Sequence, residues 1–147
     1  MVKSSKAWDW LSMAEDDLRD ARRDYEYESF ASSVNHAELA CQKALKALIV
    51  ALGYEPLKTH KPSIQIKTII TGGLLEGRRE LIDRIGRIIS YAMTLEDQGT
   101  IPRYGWETIN RIIKPLEIYD KEKTKSLLEN AEYVFIKVKE ILGEIDC

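Results

Sequence analysis

Apolar side chains recur every three or four positions along nearly the whole chain, and that spacing predicts helices. Between Lys6 and Tyr27, the residues Trp8, Leu11, Ala14, Leu18, Ala21 and Tyr25 form one stripe. Glu15, Asp16, Arg19, Asp20 and Arg23 lie opposite it. Ser5 is the expected N-cap, because its hydroxyl can accept from a free N–H of the first turn. A second helix is expected after Ser29, ending at Gly53, with Phe30, Val34, Ala37, Cys41, Ala44, Leu48 and Leu52 as its seam. Glycine is favoured just past a helix end. Ala37, Ala40, Ala44 and Ala47 are small enough to let another helix come close.

Tyr54 to Lys61 contains Pro56 and reads as a loop. Pro62 suits a first helical turn, where its missing N–H is not needed. A short third helix carries Ile66, Ile69 and Ile70 and stops at Gly72-Gly73. The fourth is expected from about Leu75 to Asp97, with Leu81, Ile85, Ile88, Ala92 and Leu95 inward and Ile82 and Ile89 widening the stripe. Gly86 in its middle costs about 1 kcal/mol relative to alanine, so close packing is expected there. QGTIPRYGW, Gln98 to Trp106, reads as a loop, followed by a short helical turn through Ile109, Ile112 and Ile113 before Pro115. The last helix is expected after Asp120, reaching about Leu142, with Leu128, Ala131, Val134, Phe135, Val138 and Ile141 buried. No alternating run predicts a strand. The pattern predicts an all-α fold: one domain over residues 1–147, an antiparallel four-helix up-and-down bundle with one or two additional short helices.

Composition narrows the function. The chain is 44% hydrophobic and 31% charged, a globular balance. Its net charge of -2 gives no global pull toward nucleic acid but permits a local basic patch. The apolar run Ala47 to Leu52 falls far short of the roughly 20 residues of a spanning helix, so no membrane association is expected. MVKSSKAWDW is not a secretory signal. Cys41 sits at an apolar helical position and Cys147 is the last residue, and they make neither a disulfide framework nor a metal spacing. A cytoplasmic setting and no cofactor or metal are expected.

The stretch His36 to Leu48, HAELACQKALKAL, carries more than packing. It holds His36-Ala37, Ala40 and Lys43-Ala44-Leu45-Lys46-Ala47-Leu48, and closes at Gly53. Ala14, Asp17, Leu18 and Ala21 precede it, Thr59-His60 follows it, and Arg103-Tyr104 comes after the long fourth helix. In this order and at this spacing the chain resembles the HEPN family of small helical-bundle domains. Glu38-Leu39 stands where a glutamine pair is common, Gln42-Lys43 where Glu-Lys is common, and Gly105 where a proline is usual. The segment Trp106 to Tyr119 is longer than in a minimal member. The resemblance implies a homodimer, a minimal nucleotidyltransferase as partner in a toxin–antitoxin-like pair, and a nucleotide or RNA as ligand. Some members are metal-independent ribonucleases with an arginine followed four to six residues later by a histidine. Neither His36 nor His60 has such an arginine, and no histidine follows Arg103. The expectation therefore leans toward a binding or regulatory protein rather than an enzyme.

Arg103 and Tyr104 are the leading candidates for phosphate or nucleotide binding. The guanidinium fork matches phosphate, and the phenol ring offers a face to a base. Arg84, Arg87 and Tyr91 share one face of the fourth helix and are expected to extend that strip. His36 and Lys43 share a stripe of the second helix beside its seam and complete the candidate set. His60 precedes Pro62, where capping of a helix start is the plainer role. The bland reading pairs Arg103 with Glu96 or Asp97 and puts Tyr104 and Trp106 into the core. Two competing functions remain: a ribonuclease joining Arg103 to His36, and a purely structural dimer without ligand.

Overall fold

The computed structural model describes residues 1–146. The elements are α1 (Ser5–Glu26), α2 (Phe30–Ala51), α3 (Pro62–Thr71), α4 (Arg79–Glu96), α5 (Ile101–Tyr104), β1 (Trp106–Glu107), β2 (Ile112–Ile113), α6 (Pro115–Ile118) and α7 (Lys121–Asp146). Cys147 lies outside the described residues.

The four long helices form the bundle, and side-chain ties fix their directions. Asp17 meets Lys43 and Asp24 meets His36, so α1 and α2 are antiparallel. Trp8 bonds Asp146 and Arg22 meets Glu132, which sets α7 antiparallel to α1. Arg84 meets Glu144 while Asn130 bonds Thr94, so α4 also opposes α7. Thus α1 and α4 run one way, α2 and α7 the other. This is an all-α up-and-down bundle, with α3, α5 and α6 as short additions.

The predicted stripes are the core. Leu11, Ala14, Leu18 and Ala21 of α1 are buried, as are Val34, Ala37, Cys41, Ala44 and Leu48 of α2. Leu81, Ile85, Ile88, Ala92 and Leu95 of α4 and Leu128 to Ile141 of the α7 seam join them. The alanines of α2 let it contact α1, α4 and α7 together. Among the described residues no helix is long and apolar enough to cross a membrane.

The boundaries differ in four places. Ser4, not Ser5, is the N-cap of α1, and its hydroxyl accepts from the Ala7 N–H. Helix α4 begins at Arg79 rather than Leu75, because Gly73 and Gly77 take positive φ angles of 89° and 84° and turn the chain. Helix α7 continues past Leu142 to Asp146. The expected loop from Gln98 contains the turn α5.

The largest correction is the segment through Ile109. It is a β-hairpin rather than a helical turn, with Trp106 opposite Ile113 and Glu107 opposite Ile112. Thr108 and Arg111 bond across its tip. Trp, Thr and Ile favour extended backbone, and Pro115 stops a helix from growing back into them. Strands two residues long leave no alternation to read. The expected close packing at Gly86 is also absent: a Cβ there would meet nothing within 4 Å.

Candidate functional site

Helix α2 carries a polar strip inside an otherwise apolar sequence. Asn35, Glu38 and Gln42 fall at helical spacing and so share a face. Glu38 and Gln42 are buried, at 5% and 6% exposure. The Gln42 amide donates to Glu38 and, at 3.4 Å, to His60 Nδ1. At the other end of the strip, Arg103 Nη1 donates to Asn35 Oδ1 at 2.8 Å. The two dipeptides Thr59-His60 and Arg103-Tyr104 are far apart in sequence, yet they meet the two ends of one helical face.

Glu96, the last residue of α4, lies near enough for its charge to act on Glu38. It is 4% exposed and accepts from Ser63 Oγ and, at 3.1 Å, from Ser63 N. Ser63 is in the first turn of α3, so Glu96 satisfies an N–H that the helix itself leaves free. Burial pushes the Glu38 carboxyl above its ordinary value, against the pull of the Gln42 bond and the Arg103 charge. Burial likewise pushes Glu96 up, opposed by the two Ser63 bonds and by Lys61.

Arg103 is exposed, and among the described residues its hydrogen-bond partner is the neutral Asn35. Among the described residues Arg103 pairs with neither Glu96 nor Asp97, and Glu96 accepts from Ser63. Tyr104 is 71% exposed, with its ring centre 5.9 Å from the guanidinium carbon. Trp106 is 56% exposed, so neither aromatic fills the core.

The other candidates stand elsewhere. His36 and Lys43 face α1: His36 Nδ1 donates to Asp24 at 2.9 Å, and Lys43 Nζ to Asp17 at 2.6 Å. They tie α2 to α1. Arg84 holds Glu144 with two bonds, at 2.8 and 3.0 Å. Tyr91 packs on Tyr133 with ring centres 4.3 Å apart. Arg84 to Glu96 spans about 18 Å of helix. So α4 presents Arg84 and Tyr91 to α7, and the fold does not gather them with Arg103.

Sequence reasoning missed Asn35, Glu38, Gln42 and Glu96 as members of the strip. The signal was present in part: three amide or carboxylate side chains at helical spacing beside an alanine-rich seam. Among the described residues no group of three His, Cys, Asp or Glu could hold a metal ion.

Fold and site together define a small helical-bundle protein with a buried polar strip and an exposed arginine–tyrosine corner. Residues 7–141 match the HEPN domain, and the chain belongs to that family. A relative from Methanocaldococcus jannaschii, named "Putative toxin MJ1304", is 28% identical over 137 residues, spanning 92% of this chain and 87% of its own. Two crystal structures share the fold. ST0689, described as an archaeal HEPN homologue, superposes with a TM-score of 0.65 at 22% identity, covering 92% of this chain and 97% of its own. TT1696 from Thermus thermophilus gives a TM-score of 0.71 at 23% identity, covering 93% and 98%.

Proposed function

We propose that this HEPN protein is the binding, toxin-like member of a toxin–antitoxin pair, and that its Arg103–Tyr104 corner takes a phosphate of RNA or of a nucleotide. The observation that carries this is the state of Arg103: an exposed guanidinium held in place by a neutral amide. Asn35 uses one of five N–H donors, which leaves the fork its charge and its remaining donors. Tyr104 beside it offers a ring on which a base can stack. The relative named "Putative toxin MJ1304" supports the pairing, and a minimal nucleotidyltransferase is the partner that the family resemblance implies. The protein acts as a homodimer in this reading. His36 and Lys43 position α2 rather than touch the ligand.

Titration of the full chain with a single-stranded RNA tests it. Arg103→Ala is expected to weaken binding about 10-fold or more, the effect of losing a charge-assisted bond. Tyr104→Ala removes a stacking face worth about 1–3 kcal/mol. Equal affinities for wild type and both variants would overturn the reading.

A second reading is a metal-independent ribonuclease. What favours it is that His60 and Arg103 meet the two ends of one face of α2. An imidazole would move the 2′-hydroxyl proton while the guanidinium stabilised charge on phosphorus. RNA cleavage in EDTA that is lost in Arg103→Ala and in either histidine variant would establish the enzyme.

A further inference from the structure

A cleft of about 850 Å³ opens between the start of α4 and the last turns of α7, at the opposite end of the bundle from Arg103. Arg78, Arg79 and Arg84 line it, over an apolar floor that includes Leu81 and Ile141. Arg84 is 23% exposed and held by both oxygens of Glu144, which is itself 58% exposed. Arg78 and Arg79 have no ion-pair partner among the described residues. A smaller hollow shares Glu80 and Arg84 with this cleft and continues it toward Arg87 and Lys137.

Guanidinium forks bind carboxylate and phosphate in the same bidentate way. Glu144 already demonstrates that geometry on Arg84, using one carboxylate of the chain itself. Two forks remain. Arg78, Arg79 and Arg84 line one cleft, and linked phosphates supply several oxygens and several charges at once to match three forks. The floor of leucine and isoleucine keeps water from one side and strengthens each charge contact. Glu80 and Glu144 oppose any anion, and the three guanidiniums that line the same cleft outnumber them.

We propose that this cleft binds a condensed phosphate group, two or three phosphates in a chain, with Arg78, Arg79 and Arg84 as its forks and Glu144 as the resident carboxylate that the ligand displaces. The group can come from a free polyphosphate or from the tail of a nucleoside triphosphate. Both carry the chemistry that the arginines read. The site is separate from the Arg103 corner and does not depend on it.

Calorimetric titration of the full chain at low salt tests the proposal, with tripolyphosphate, pyrophosphate, orthophosphate, ATP and AMP as probes. Tripolyphosphate and pyrophosphate are expected to saturate one site per chain, with orthophosphate at least 10-fold weaker. ATP matching tripolyphosphate, with AMP silent, identifies the phosphate chain alone as the ligand. ATP tighter than tripolyphosphate identifies the nucleotide tail as the source. Arg78→Ala/Arg79→Ala, two exposed positions, should lower affinity at least 10-fold with an unchanged circular dichroism spectrum. Glu144→Gln should raise affinity, because it releases the Arg84 fork, whereas a merely structural Glu144 would not. Arg103→Ala should leave this binding unchanged while weakening RNA binding. Absence of heat with tripolyphosphate, indifference to the double variant, or weaker binding in Glu144→Gln would overturn it.

Discussion

Glu38 shows what a single residue costs and what it organises. A carboxylate at 5% exposure is disfavoured unless it is bonded, and Gln42 supplies one bond while Arg103 supplies nearby charge. Glu96 stands in the same condition, with Ser63 as its partner. Both carboxyls are raised above their ordinary value of 4.5, so the folded chain holds their protons more tightly than the unfolded chain. The sign follows from linkage. Their contribution to stability is complete below 4.5 and is lost as pH rises through the raised folded values. Thermal melts in a series rising from pH 4.5 should therefore show a slope that Glu38→Gln and Glu96→Gln each flatten. Parallel curves for wild type and variants would refute this account of the two acids. The isosteric change keeps the hydrogen bonds within reach, so the variants should fold. At this scale the sequence was only partly legible. Arg103 and Tyr104 announce themselves by type and by position in a loop, whereas the burial of Glu38 depends on which helices pack around α2.

The long helices were legible because each one repeats its signal over several turns. A shift of one boundary residue leaves the seam intact, and α1, α2, α4 and α7 all appeared where the apolar spacing placed them. The short elements between Gly99 and Asp120 were not, because two-residue strands and four-residue helices carry no period. What fixes them is a glycine. Gly105 has φ 74°, and a Cβ there would lie 2.2 Å from the Ile113 carbonyl oxygen. Gly105→Ala should thus disrupt the hairpin while sparing the bundle. Amide exchange should quicken from Trp106 to Ile113 and stay slow in α2 and α7. Unchanged protection of the hairpin amides would contradict the role given to this glycine. Gly86 is the opposite case. It lies within α4 with open space where a side chain would go, so Gly86→Ala should stabilise the protein by about 1 kcal/mol through helix propensity alone. Chemical denaturation reads that gain directly, and a loss of stability would mean that a neighbour fills the space.

At the scale of the whole molecule, the two candidate anion sites lie at opposite ends of one bundle. At one end Arg103 stands on the Asn35–Gln42 strip beside the exposed Tyr104. At the other end Arg78, Arg79 and Arg84 gather between α4 and α7. The net charge of -2 conceals both, which is why composition showed no global pull toward nucleic acid while permitting a local basic patch. Sequence periodicity placed Arg84, Arg87 and Tyr91 on one face correctly as a helix pattern. It could not tell that this face meets α7, because rotation about the helix axis is set by the partner helices. His36 and Lys43 were legible as cations on α2, while their carboxylate partners on α1 emerged only from the packing of the pair. The central claim is that Arg103 keeps a charge available for phosphate. The salt dependence of single-stranded RNA binding tests it most directly, measured for wild type and Arg103→Ala over a series of ionic strengths. Each phosphate contact on a single strand contributes about 0.7 to the slope of log affinity against log salt. The account predicts weaker binding by Arg103→Ala with a slope shallower by about that amount; identical slopes and affinities for the two proteins would contradict it.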